Sequence, residues 1–232
     1  MEPFSTIRCK ICGDVPIDTQ IAFSSRIMER ITPVPCNVIR EKYGLEKDSY
    51  ILYVGRISPE KGPQDLLEAY QKLRLQERLV LAGPIPETEF GKEMLHKIDA
   101  DPRAIRTGLV QGQELAELFS NCRLFVLPSH TEGLSLALLE AMSCGGRCLV
   151  SDIPANTVIT KQYGAEFEAE NSDSLAAALS KELTTPKDEV LLKQEIEYVK
   201  ENFDYDAVIE WHEDVYKCAL NRKNEKRWEQ NC

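Results

Sequence analysis

The constraint that most narrows the fold is an alternation that begins near residue 49. Short apolar runs recur, each followed by a helix-length amphipathic stretch. Strands are expected at 50–55 (YILYVG), 78–83 (RLVLAG), 104–110, 124–128 (LFVLP), 148–151 and 164–168. Helices are expected at 61–75, 87–100, 114–122, 134–144, 172–183, 188–201 and 205–220. The strands lack polar alternation, so both of their faces must be covered, and helices between them supply the cover. The expected class is α/β with a doubly wound, Rossmann-like parallel sheet. The first 48 residues fit this pattern less well. Pro33 and Pro35 suggest a linker, and 20–31 reads as a strand end followed by a helix.

Composition excludes several functions. Lys plus Arg total 28 against 38 Asp plus Glu, a net charge of −10 that repels nucleic-acid backbones. No apolar run approaches the ~20 residues of a membrane span, and the first twenty residues lack a signal-peptide centre. A cytoplasmic protein, at most peripheral at a membrane, is therefore expected. The eight cysteines sit largely inside apolar patterns, and Cys9-x-x-Cys12 has no second pair to make a zinc site.

Ligands of an open parallel sheet bind beyond the carboxyl ends of its strands, so the residues that follow each strand carry the chemistry. After the first strand comes Gly55-Arg56-Ile57-Ser58-Pro59-Glu60-Lys61-Gly62. Ser58 suits an N-cap, Pro59 a first helical position, and Lys61 a first turn. A cation there opposes the helix dipole unless a bound diphosphate reverses the sign. Arg56 and Lys61 can clamp a phosphate pair, or they can be solvated loop residues. After the fourth strand comes PSHTEGLSLALLEAM (128–142). Its helix is apolar nearly all round, and Glu140 is its single charge. A buried carboxylate needs donors: ribose hydroxyls, or an ion pair with Arg147 or Arg56. Glu132 precedes the helix, Gly133 permits close backbone approach, and the amides of Leu134, Ser135 and Leu136 point toward the strand ends. This pattern suits a polyhydroxyl, phosphorylated ligand such as a nucleotide sugar. Asp99-Ala100-Asp101 matches a metal-binding D-x-D but sits before Pro102, where a helix-terminating turn is expected.

VGRISPEKG together with the E-x7-E of Glu132 and Glu140, about 75 residues later, resembles the C-terminal domain of glycosyltransferase family 4, of GT-B fold. SDIPANTVI resembles the family's stretch after the next strand. The resemblance covers about residues 20–215. It implies that Arg56 and Lys61 hold the donor diphosphate and that Glu140 binds the ribose. Glu132 contacts the donor sugar, and Ser135 and Leu136 offer amides. Val110 borders the base, and Glu132, Arg56 and Lys61 are the expected catalytic residues. Gly55, Gly133, Leu134 and, from its place in the cleft segment, His130 are read with them as donor-binding. The implied reaction moves a hexose from a UDP- or GDP-sugar to a glycan or lipid-linked acceptor, with retention and without a required metal. The implied divisions are 1–45 (remnant of an N-terminal acceptor domain and linker), 46–204 (nucleotide-sugar domain) and 205–232 (crossover helix and tail). The acceptor half is nearly absent, so a binding module that needs a separate acceptor-domain chain is the competing reading. A truncated product is a third. A Rossmann oxidoreductase is disfavoured, because no G-x-G-x-x-G follows a strand.

Overall fold

A computed structural model describes residues 8–9, 13–14 and 33–203. The helix expected at 205–220, the strand end and helix expected at 20–31, and Cys12 lie outside the described residues. Arg8–Cys9 and Gly13–Asp14 form a two-residue antiparallel ladder.

The main sheet has six strands, all parallel. They are β1 (Tyr50–Val54), β2 (Arg78–Ala82), β3 (Ala104–Gly108), β4 (Leu124–Leu127), β5 (Cys148–Ser151) and β6 (Ala165–Phe167), in the spatial order β3-β2-β1-β4-β5-β6. This is the doubly wound arrangement, with the order reversing between β1 and β4. The helices are α1 (Val38–Tyr43), α2 (Pro63–Lys72), α3 (Glu89–Asp99), α4 (Gly112–Asn121), α5 (Leu136–Ser143), α6 (Pro154–Thr160), α7 (Ser172–Thr184) and α8 (Glu189–Asn202).

Strand residues alternate between two cores. Tyr50, Leu52, Val80, Ala82, Phe125, Leu127, Cys148 and Val150 face one side, with Ile39, Leu118, Phe119, Leu138, Leu139 and Val199 from α1, α4, α5 and α8. Ile51, Tyr53, Leu79, Leu81, Leu124, Val126 and Leu149 face the other. There they meet Leu66, Leu67, Tyr70, Met94, Ile98, Leu175 and Leu179 of α2, α3 and α7. Each strand is therefore apolar at consecutive positions, as a doubly covered sheet demands.

Two helices fall where none was expected. α6 has seven residues, too few to show an apolar period, and opens on Pro154 at its first position. α1 lies in the stretch read as linker, and its start is stabilised from far along the chain. Glu117 of α4, fully buried, accepts from the backbone N–H of Asn37 at 2.9 Å and of Ile39 at 3.1 Å. A carboxylate at a helix N-terminus satisfies orphan donors and favours the dipole. Asn37, the local residue at that cap, makes no side-chain cap bond.

Candidate nucleotide-sugar site

The order reversal brings the segments that leave β1 and β4 side by side. After β1, Gly55 N–H donates to the Ala82 carbonyl at 2.9 Å and Ile57 N–H to the Pro84 carbonyl at 3.0 Å, so the chain continues along β2 before turning. Pro59–Lys61 is a 3-10 turn, and α2 begins only at Pro63. Lys61 therefore precedes the helix, where the sequence suggested its first turn. Gly62, with φ +64°, ends the 3-10 turn, and Pro63 takes the first α-helical position. Ser58 makes no cap; its hydroxyl donates to Glu60 Oε1 at 2.7 Å.

After β4, the chain crosses directly over that turn. His130 N–H donates to the Glu60 carbonyl at 2.9 Å. A Cβ on Gly62 would lie 2.0 Å from the Pro128 carbonyl oxygen, so only glycine lets the two backbones touch. Lys61 Nζ lies 2.8 Å from Glu132 Oε2, with the Glu132 side chain only 7% exposed. Glu132 Oε1 accepts from Ser129 Oγ at 2.7 Å, so both of its oxygens have partners. Behind it runs a buried relay. Asn156 Nδ2 donates to Ser151 Oγ at 2.9 Å, and Ser151 Oγ donates to the Ser129 carbonyl at 2.5 Å. Asn156, Ser151 and Ser129 are fully buried.

Arg56 is exposed and pairs with Glu60 at 2.9 Å. The Ser58 hydroxyl, the Glu60 backbone amide and the Arg56 guanidinium together hold the Glu60 carboxyl below the usual carboxylate range. His130 Nε2 is 2.6 Å from Asp65 Oδ2 of α2. Gly55 follows β1, its ideal Cβ position 2.9 Å from the Tyr53 hydroxyl oxygen.

α5 starts at Leu136, with Ser135 as N-cap; the Ser135 hydroxyl accepts from Leu138 N–H at 3.4 Å. The N–H groups of Leu136 and Ala137, at the first two helical positions, have no intrahelical acceptor. Leu136, Ala137 and Glu140 are half-buried, whereas Leu138, Leu139, Ala141 and Met142 are buried, so the three share the open side of the helix. Burial pushes the Glu140 carboxyl up to about 7. Neither guanidinium weighed as its neutraliser reaches it. Arg147 pairs with Glu182 at 2.8 Å and Arg56 with Glu60, and among the described residues Glu140 has no polar side-chain partner. Leu134 packs partly on the core. Gly133 is exposed, and a Cβ there would meet nothing within 4 Å, so no protein neighbour demands glycine. The Val110 side chain is buried in the core, which leaves its backbone as the part able to border a ligand.

The structure thus draws Lys61, Glu132 and His130 together, and keeps Arg56 at the rim on Glu60. Sequence reasoning passed over Ser129, Ser151, Asn156 and Asp65. Ser129 and Ser151 stand just after and at the end of buried strands, where a polar residue signals a ligand or a loop support. Asp65, an acid in a first turn, gave no separate signal. Asp99 and Asp101 are engaged elsewhere, Asp99 with Arg106 at 2.7 Å and Asp101 with Arg103 at 2.8 Å, at the end of α3. No cluster of three or more His, Cys, Asp or Glu able to hold a metal occurs among the described residues.

Comparison with known proteins agrees with this architecture. The chain is 30% identical over 176 residues to O-antigen chain mannosyltransferase B of Escherichia coli, covering 74% of this chain and 46% of that protein. It is 36% identical over 107 residues to the sulfoquinovosyl transferase SQD2 of Arabidopsis thaliana, covering 46% of this chain and 20% of that one. Among solved structures, sucrose-phosphate synthase from Thermosynechococcus elongatus superposes with a TM-score of 0.72 at 23% identity, covering 84% of this chain and 51% of that chain. Anabaena HepE, solved in complex with UDP and glucose, gives 0.70 at 17% identity, covering 82% and 54%. The chain spans about half the length, or less, of these relatives. The family model for glycosyl transferases group 1 matches residues 37–200, the whole six-stranded sheet with its helices, and the chain belongs to that family.

Proposed function

We propose that this chain is the donor-binding half of a glycosyltransferase that moves a hexose from a UDP- or GDP-sugar to a glycan or lipid-linked acceptor, with retention. One observation carries the reading: a lysine–glutamate pair at the topological switch point and, on the helix that follows Glu132, a half-buried acid with no polar side-chain partner among the described residues. Lys61 and Arg56 take the donor diphosphate, Lys61 by leaving Glu132 for the phosphate. They offset the charge that grows on the leaving group, aided by the helix-start amides of Leu136 and Ala137. That positive charge is the protein's own, so the reading requires no metal. Glu140 accepts hydrogen bonds from ribose hydroxyls, which supply the donors it lacks. Glu132, freed from Lys61, turns to the hydroxyls of the transferred sugar. Val110 borders the base through its backbone, and Gly133 leaves room for the ligand that the protein itself does not fill. The names of the relatives support this direction: one is a mannosyltransferase, and another was solved with UDP and glucose. Among the described residues no helix is long and apolar enough to cross a membrane, in keeping with action in the cytoplasm, at most peripherally at a membrane.

Calorimetry of the whole chain with UDP, GDP and their sugars tests the reading. Binding of one nucleotide class is expected, weakened by Lys61→Ala and by Glu140→Ala. Binding by both variants at the parent's affinity would overturn the site. A second reading rests on the chain's span of about half its relatives: a module active only with a separate acceptor-domain chain. Sugar transfer by the lone chain would refute that second reading.

A further inference from the structure

The two segments of the site are joined by two side-chain contacts, Lys61–Glu132 and His130–Asp65. Lys61–Glu132 must open when a diphosphate takes the lysine. The other contact is His130 Nε2 to Asp65 Oδ2 at 2.6 Å. Its side chains are 20% and 17% exposed. Asp65 stands in the first turn of α2, its N–H donating to the Gly62 carbonyl at 3.1 Å. It is thus built on the helix that the lysine turn feeds. His130 belongs to the opposing loop, two residues before Glu132, and its backbone N–H donates to the Glu60 carbonyl. The Gly62 Cβ position lies 3.3 Å from His130 Nε2, so the ring is packed over the turn itself.

We propose that Asp65 is a positioning residue of the donor site, acting through His130. It anchors the ring, the ring and its N–H hold the Glu132 loop over the Lys61 turn, and this register survives when Lys61 leaves Glu132 for the diphosphate. The inference rests on the donor-site reading above. It also reassigns His130, which the sequence placed among donor-contacting residues, to a support role through its Nε2. An ionised Asp65 carboxylate only accepts, so the bond needs a proton on Nε2, and a carboxamide oxygen at the same place would still accept it, without the charge.

The test is calorimetry of the full chain with UDP and GDP. Asp65→Ala is expected to weaken binding of whichever nucleotide the parent takes by roughly tenfold or more, the scale of a displaced binding group. Asp65→Asn is expected to stay near the parent. His130→Ala should cost as much as Asp65→Ala, and the double alanine variant no more than either, since residues acting as one unit are not additive. Unfolding midpoints in urea accompany each measurement. A merely structural role predicts affinity losses that track those midpoints, and that result would overturn the proposal. Equal affinities for Asp65→Ala and Asp65→Asn would overturn it too. Should Asp65→Ala not fold, His130→Ala breaks the same contact and is read in its place. If the parent binds neither nucleotide, the donor-site reading falls, and this inference with it. If the parent binds and the variants match it, only the positioning role falls.

Discussion

Lys61 Nζ and Glu132 Oε2 stand 2.8 Å apart across the two loops that leave β1 and β4, and Ser129 holds the other oxygen of the same carboxylate. The ion pair is largely shielded on its acidic side, so removing the lysine strands a buried charge. Lys61→Ala is expected to destabilise the fold by about 1–2 kcal/mol, below the cost of breaking a fully buried pair because Lys61 keeps some solvent contact. Urea unfolding measures this. Lys61→Met with Glu132→Gln should recover most of that stability and none of the nucleotide affinity.

Glu140 gives a pH signature. Its folded-state pKa, about 7, is raised above the ordinary 4.5, so the folded protein binds the proton more tightly than the unfolded chain. Its contribution is most favourable below about pH 4.5 and is lost as the pH rises to about 7. Glu140→Gln is therefore expected to stabilise the protein at pH 8 by order 1–3 kcal/mol and to change little at pH 4. If the carboxylate receives ribose hydroxyls, nucleotide binding at pH 6 also expels a proton. Calorimetry in buffers of different ionisation enthalpy would detect that release, and its absence would count against the ribose assignment.

Glu195 repeats the effect without a site. It is 1% exposed on α8, neither oxygen has a hydrogen-bond partner among the described residues, and burial raises its pKa to about 9. The proton it keeps costs stability progressively between about pH 4.5 and 9. Glu195→Leu should raise the melting temperature at pH 8 by several degrees, through a gain of a few kcal/mol, and leave nucleotide affinity unchanged. A drop in melting temperature would show that the acid has a partner in solution.

Two glycines in the same loops should behave oppositely. Gly62→Ala drives a Cβ into the Pro128 carbonyl at a left-handed φ, and a loss of about 2 kcal/mol or more is expected. Gly133→Val meets open space, so stability should change by less than about 0.5 kcal/mol. Nucleotide affinity should nevertheless fall if a ligand occupies that space. Paired unfolding and binding curves separate the two cases.

The layered sheet was legible because strands such as Leu124–Leu127 are apolar at every position, a pattern that only double cover explains. The spatial order of the strands was not read from the sequence; the expectation that chemistry gathers at 55–62 and 128–135 came from the rule that ligands bind beyond the carboxyl ends of parallel strands. What stayed hidden depends on contacts between distant residues. α1 is capped by Glu117, nearly 80 residues away, and no local feature at Asn37 announces it. The start of α2 at Pro63 lies two residues after the periodic span suggested and four after the Pro59 signal, because Pro59 favours a turn of either helical type and only Gly62 decides between them. The Asp65–His130 contact spans 65 residues, and neither residue is unusual within its own segment.

The two hydrophobic layers meet the cleft from opposite sides of the sheet: the Lys61 turn runs into α2 on one face, and the Glu132 loop into α5 on the other. Anything lodged between those loops acts as a rivet driven through the slab. Its grip should slow amide exchange in α2 and α5 together, although the two helices never share a core.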